Sequence, residues 1–333
     1  MKINSILSNL AAPAFSLLLF ASCESDNHTT DDGPIAVRIT STIAGANHGT
    51  VASLPTPAPS TRASESAWMD GDRIGVSTTS TEGLTAYTNI QYTATGTGGD
   101  FIAVNAAGED NTIYFQDKKP IDFTAYYPYT GANGTRPGTD GIISRTLTAA
   151  DQLLADLPKT DYLWSNATGI TSANPNVNFT FTHRMSRLKL NFVEGSGMDF
   201  PTAGLTYTLD GLKQAGSFNT LNGTAAADAA ATAAKLENIH TDISAQSSTS
   251  TLILWPQEAA TAQLTVFIEG IPYAATLQLL DLPATTPAVQ GLAAGYSYAY
   301  NVKVHKTGIE ISGAQITPWT QGTGGDVDAK EEI

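Results

Sequence analysis

"PIAVRITSTIA", residues 34–44, sets Ile35, Val37, Ile39 and Ile43 at alternating positions against polar or small neighbours. A period of two is the signature of a half-buried strand, because successive side chains leave a strand on opposite faces. The same alternation returns in "VNFTFTHRMSRLKLNFVE" (177–194), "STLILWP" (250–256), "AQLTVFIEG" (262–270), "YAATLQL" (273–279) and "YSYAYNVKV" (296–304). Turn-forming clusters such as "GANGT" (131–135), "EGSG" (194–197) and "EGIP" (269–272) punctuate these runs. Many short strands without long helices between them predict an all-β chain built of β-sandwiches. At 333 residues, 41% hydrophobic and 14% charged, the chain can bury two cores. We place the boundary near Ser186, giving domains over 35–185 and 186–320 in tandem.

One or two short helical insertions are expected. "TAAADAAATAAKLENI" (224–239) is rich in the best helix former but lacks an apolar face, and reads as a loop insertion. "TAADQLLADL" (148–157) spaces Thr148 and Asp151 as a capping box does.

The N-terminus runs from one lysine through an apolar stretch ending in Leu17, Leu18, Leu19 and Phe20 to Ala21, Ser22 and Cys23. A short apolar region closed by small residues is an export signal rather than a membrane span. Cys23 is the one cysteine of the chain, so no internal disulfide can form. Its place directly after two small residues resembles the lipobox of a bacterial lipoprotein, with residues 1–22 as signal peptide and Cys23 as the lipidated first residue. The polar, acidic "ESDNHTTDDG" (24–33) then forms most of a solvated tether over 23–34 and resembles the surface-export signals of some Gram-negative anaerobes. One acyl anchor and no second apolar run means anchored to a membrane, not spanning it.

A net charge of −14 leaves no basic face for phosphates, so nucleic acid is excluded as a partner. His28, His48, His183, His240 and His305 are scattered without ligand spacing, and neither a metal nor another cofactor is expected. "DGDRIG" (70–75) places Arg73 and Ile74 where a calcium loop needs oxygen ligands and a glycine, so it reads as a turn into the strand "RIGVST". "GYSYA" (295–299) approaches a nucleophile elbow but opens an alternating strand. "GTGGD", at 96–100 and 322–326, reads as a flexible turn because no helix follows to hold a phosphate. No base, nucleophile and electrophile assemble, so the chain is not read as an enzyme. "FTAYYPYT" (123–130) reads first as a strand with core and edge aromatics. The second reading is a monomeric surface lipoprotein that binds glycan through Tyr126, Tyr127 and Tyr129 or through Trp68.

The least structured stretch is "GANHGTVASLPTPAPST" (45–61), where Pro55, Pro57 and Pro59 favour an extended, unpaired chain. Arg62 closes this linker. Trypsin-like attack is therefore expected there before Arg73, Arg184 or Arg187, which lie in predicted strands.

"AWMDGDRIGV" (67–76), "TAYYPY" (124–129), "DYLWS" (161–165), "VNFTFTHRMSRLKLNF" (177–192) and "GYSYAYNVKVHKTGIEISGAQITPW" (295–319) stand in an order and spacing that resembles the fimbrillin-like, or type V, pilins of anaerobic Gram-negative bacteria. The resemblance spans residues 35–320. It implies two transthyretin-like β-sandwich domains, export as an outer-membrane lipoprotein, and cleavage by an arginine-specific protease between Arg62 and Ala63. It further implies a removable strand within 35–62, carrying Ile35, Val37, Ile39 and Ile43, and assembly with other pilin subunits by strand exchange into surface fimbriae that adhere to a host glycan or protein. Burying those four side chains is worth roughly 6 to 12 kcal/mol. The polar tail "TQGTGGDVDAKEEI" (320–333, with 321–333 outside the domains) departs from the family and is a poor donor strand. Ile309, Ile311 and Ile316 make the preceding run the candidate donor.

Overall fold

The computed structural model describes residues 34–44, 67–79, 83–104, 108–202, 204–243, 247–282 and 288–319. Cys23, Arg62, Ala63, the 45–61 linker, the second "GTGGD" and the 321–333 tail lie outside the described residues.

In chain order the N-terminal strands are β1 Arg38–Ile43, β2 Arg73–Thr78, β3 Ile90–Ala94, β4 Asp100–Ile102, β5 Ile121–Tyr127, β6 Ile142–Thr146, β7 Leu163–Ile170 and β8 Asn176–His183. There follow β9 Ser186–Glu194, β10 Leu205–Lys213, β11 Ala215–Asn219, β12 Ala225–Ala227, β13 Ala233–Thr241 and β14 Ser247–Leu254. The last are β15 Gln257–Glu258, β16 Thr261–Ile268, β17 Ile271–Gln278, β18 Gly291–Leu292, β19 Tyr296–His305 and β20 Gly308–Pro318. The all-β expectation holds.

In the N-terminal half one sheet closes on itself in the order β1-β4-β3-β2-β5-β7-β8. Closure is made by β1, which runs antiparallel to β4 and parallel to β8. In the C-terminal half the sheets β13-β10-β16-β17 and β14-β9-β19-β20 stack face to face. Leu188, Leu190, Tyr207, Leu209, Leu264 and Tyr300 are among the buried residues between them. Here too an early strand and a late one pair in parallel, β9 with β19. A parallel pair cannot be joined by a tight turn, so each half is tied together across long stretches of chain.

The two halves are also joined to each other. β6 pairs with β11, Ile142–Thr146 against Ala215–Asn219, within a three-stranded sheet β12-β11-β6. A third apolar cluster combines Tyr126, Ile143, Leu147 and Tyr162 with Met185, Phe218, Ile253, Trp255 and Trp319.

The alanine-rich run departs from expectation. It holds no helix, and its two ends are not loop but the strands β12 and β13, paired with β11 and β10, with a turn over residues 228–232 between them. Its small side chains suit a sheet that packs closely over Trp255. A Cβ on neighbouring Gly216 would lie 2.4 Å from the Trp255 ring. Ladder pairing and this shape requirement override the intrinsic preference of alanine. The 148–157 run folds as short 3-10 helices at Ala149–Gln152 and Leu157–Lys159, and the Asp151 carboxylate accepts the Thr148 backbone N–H at 2.8 Å as a capping box requires. Gln152 then covers part of the β14 edge. Its amide accepts from Ile253 N–H at 2.9 Å and donates to Ile253 C=O at 3.1 Å, satisfying an edge residue as a strand would.

The first "GTGGD" has a defined structural task. Gly99 adopts φ +85°, and a Cβ there would meet the Ser41 carbonyl oxygen of β1 at 1.9 Å. Gly96, in the same turn at φ +79°, has nothing within 4 Å of its Cβ position. Gly96→Ala should therefore cost only the strain of a positive φ, about 1–2 kcal/mol. Gly99→Ala should cost about 1–3 kcal/mol more, because β1 has to move. Urea-unfolding midpoints of the two variants check the difference.

Candidate functional site

The removable-strand expectation and the fold meet at β1. Its buried face carries Val37, Ile39, Ser41 and Ile43, while Arg38, Thr40 and Thr42 face out. Val37, Ile39 and Ile43 are 5%, 3% and 2% exposed, but Ile35, ahead of the strand, is only half-buried. Three side chains rather than four are therefore fully enclosed, and the burial term falls to about 4.5 to 9 kcal/mol.

Both edges of the strand are hydrogen-bonded. On one side Arg38 N–H donates to Pro175 C=O at 2.9 Å and Ala44 N–H to Phe181 C=O at 2.7 Å, framing the pairing with β8. On the other, Ser41 N–H donates to Gly99 C=O at 2.7 Å, Val37 N–H to Ile113 C=O at 2.9 Å, and Phe115 N–H to Ile35 C=O at 2.9 Å. Ile113 is itself placed by the Tyr92 hydroxyl, which accepts its N–H at 3.2 Å inside the barrel. Burial pushes the Tyr92 phenol up to about 12, so it stays neutral and keeps this role at any physiological pH.

The floor under β1 is aromatic. Trp68 makes edge contacts with Phe101, Tyr127 and Phe181 at centroid distances of 5.1, 5.5 and 5.2 Å. Val37, Ile39 and Ile43 belong to the same cluster, with Val177 and Phe179 of β8. One position on this face does not fit. The Ser41 hydroxyl is buried with no hydrogen-bond partner among the described residues.

The glycan-platform reading fails at these aromatics. Trp68, Tyr126 and Tyr127 are all buried, and Tyr129 is half-buried. The Tyr126 hydroxyl is used internally, donating to Asn89 Oδ1 at 2.8 Å, and burial raises its pKa strongly. A face turned into the core cannot stack on a sugar.

Ile309, Ile311 and Ile316 lie elsewhere, on the edge strand β20, where all three are half-buried against the C-terminal core. β20 pairs with β19 alone and has a bulge over Gly313–Ala314, between the pairs Asn301↔Ser312 and Ala299↔Gln315. Its end is fastened by Trp319, whose N–H donates to Gly295 C=O at 2.6 Å. The Trp319 ring stacks on His183 at 3.9 Å and 5°, and the Arg187 guanidinium lies over the Trp319 ring, 4.8 Å from its centroid. Asp161 holds His183 through Nδ1 at 2.9 Å. Sequence reading missed this fastening, since Asp161, His183 and Trp319 are far apart in the chain and share no motif. Arg184 is likewise corrected. It sits between β8 and β9, not in a strand, half-buried over the Trp164 ring at 5.0 Å.

A sequence model of the fimbrillin-like family matches residues 61–319, a range that begins beside Arg62 and ends at Trp319. A Bacteroides uniformis protein provisionally named fimbrium subunit Fim1C is 27% identical over 329 residues, covering 95% of this chain and 96% of its own. A crystal structure from Bacteroides ovatus, provisionally titled a cell adhesion protein, superposes with TM-score 0.71 at 31% identity over 86% of this chain and 98% of that one. A second, from Bacteroides uniformis under the same provisional title, gives 0.60 at 23% identity over 87% and 99%.

If Trp319 fastens β20, Trp319→Ala should cost about 3–5 kcal/mol, as large-to-small core changes do. It should also remove hydrogen-exchange protection from β20 before β9 and β19 lose theirs. Trp319→Phe should retain most of both.

Proposed function

The chain belongs to the fimbrillin-like family, and from that premise we propose that it is a structural subunit of surface fimbriae, exported as a lipoprotein through Cys23 and matured by cleavage between Arg62 and Ala63. It fits a stalk, tip or accessory pilin that assembles with other pilin subunits for adhesion. Its partners are those subunits, an arginine-specific protease and the outer membrane. No residue is assigned a catalytic role.

The observation that carries this reading is the enclosure of β1. A strand hydrogen-bonded on both edges and apolar underneath belongs to the core, yet it joins β2 only through a segment containing the prolines and Arg62. The connection makes removal of β1 a single cut. While uncut, the strand is held at high effective concentration, so the precursor keeps its own slot filled. Once cut, it can dissociate, and the burial lost, about 4.5 to 9 kcal/mol, is comparable with the stability of a whole domain, about 5–15 kcal/mol. The empty slot would offer two unpaired edges, which favours capture of an extended segment from a neighbour. Ile309, Ile311 and Ile316 remain the candidate donor residues.

Size-exclusion chromatography after treatment with an arginine-specific protease tests the reading. The native chain should convert to oligomers and Arg62→Ala should remain monomeric. Oligomers from both, or from neither, would contradict it.

A further inference from the structure

We propose that the outer face of the C-terminal half carries a binding site for one neutral sugar ring, seated over Thr206 between the side chains of His240 and Phe267. The site would give the subunit its adhesive contact, and it exists whether or not the chain is cleaved or assembled.

The sheet β13-β10-β16-β17 packs one face into the C-terminal core and turns the other outward. Thr206, Thr208 and Asp210 of β10 and Gln263 and Thr265 of β16 lie on the outward face, small or polar as a solvated face requires. Phe267 breaks that pattern. It is half-buried near the end of β16, and the register sets it beside Thr206, whose other neighbour is the exposed His240 of β13. A concave cavity of about 440 Å³ lies over this row, within the range of about 300–1,000 Å³ typical of small-molecule sites. Two strand spacings put the Cα atoms of His240 and Phe267 about 10 Å apart, with side chains standing roughly perpendicular to the sheet. That leaves room for one six-membered ring, with C–H groups in contact with each wall.

Polar groups meet the rim of such a ring. The Thr206 hydroxyl, the Asn238 amide and the Glu269 carboxylate line the same cavity, and none has a hydrogen-bond or ion-pair partner among the described residues. Hydroxyl and amide both donate and accept, and a carboxylate accepts, which together match the hydroxyls of a sugar. Glu269, the nearby Asp242 and a net charge of −14 repel an anion, so the ring is a neutral one.

The backbone aims these groups. Glu269 opens the two-residue turn between β16 and β17 at φ +50°, where asparagine, aspartate or glycine is less strained. Turn chemistry therefore does not account for a glutamate there, whereas its place on the cavity does. Asn238 stands at φ +57° in a bulge of β13, between the pairs Tyr207↔Ile239 and Leu209↔Leu236, and the bulge leaves both Glu237 and Asn238 exposed. His240 is held from behind. Asp242 Oδ1 lies 3.2 Å from its Nε2, and Gly204 packs so closely that a Cβ there would stand 2.6 Å from the ring Cε1. The walls are thus set before a ligand arrives, which lowers the cost of binding.

Saturation-transfer NMR on the uncleaved chain tests the site, with methyl β-D-galactopyranoside, methyl α-D-glucopyranoside and N-acetylneuraminic acid as probes. A ligand of about a dozen non-hydrogen atoms should bind with a Kd of about 1 mM. Transfer to the ring C–H protons of at least one neutral glycoside is expected, falling at least about fivefold in Phe267→Ala and in Asn238→Gly, which keeps the positive φ and removes the amide. N-acetylneuraminic acid should receive at least about threefold less than that glycoside. Gln278→Ala, exposed at the far end of β17, should match the native chain. Should Phe267→Ala lose its cooperative thermal transition, Asn238→Gly decides. No transfer to either neutral glycoside, undiminished transfer in the folded variants, or a preference for N-acetylneuraminic acid overturns the proposal. Binding of N-acetyl-argininamide with neither glycoside bound also overturns it, in favour of a basic peptide. None of these outcomes depends on oligomer formation after cleavage, so the two readings fail separately.

Discussion

The N-terminal half depends on one short strand being held on both edges. β1 lies between β8 and β4, and without it the remaining strands form an open sheet with two bare edges over a floor of Trp68, Phe101, Phe179 and Phe181. Hydrogen-bond satisfaction and apolar burial therefore rest on the same short run of chain, residues 35–44, with β1 at its centre. Gly99 allows β4 to approach closely enough to pair, and Tyr92 holds Ile113 where Val37 can reach it. The glycine and the tyrosine are thus parts of the slot, although neither lies on the strand that fills it.

The rest of the molecule gives that slot a rigid frame. The β6–β11 pairing and the cluster around Phe218 and Trp255 bind the two halves, so that β8 leads directly into a second packed core. Tyr162 contributes by stacking on Phe218 at 4.6 Å and near Trp255 at 5.8 Å. His183, at the end of β8, touches Trp319 at the end of β20. One edge of the slot and the fastening of the C-terminal strand thus meet at one residue, His183.

Much of this was legible in sequence, because a two-residue period records which side of a strand is buried. Ile39 and Ile43 announced themselves, as did the turn at Asp70–Gly71 before β2. Ser41 stands between Ile39 and Ile43 in that series, and only the structure shows that its hydroxyl is buried with no partner among the described residues. What could not be read were contacts between distant residues. The alanine run became strands because β10 and β11 were available to pair with it. Tyr127 is buried in the barrel core, while Tyr126, on the opposite face of β5, is buried in the cluster that joins the two halves. The bulge at Gly313–Ala314 reverses the apparent parity of the last isoleucine, and no periodicity rule anticipates it.

The central claim is that β1 closes the barrel and can be withdrawn from it without dismantling the C-terminal half. Hydrogen exchange, comparing the intact chain with the chain cleaved after Arg62 and separated from its N-terminal fragment, tests this directly. Protection should fall in β8 and β4 and persist in β10 and β16. Unchanged protection of β8 in the absence of the fragment would contradict the account.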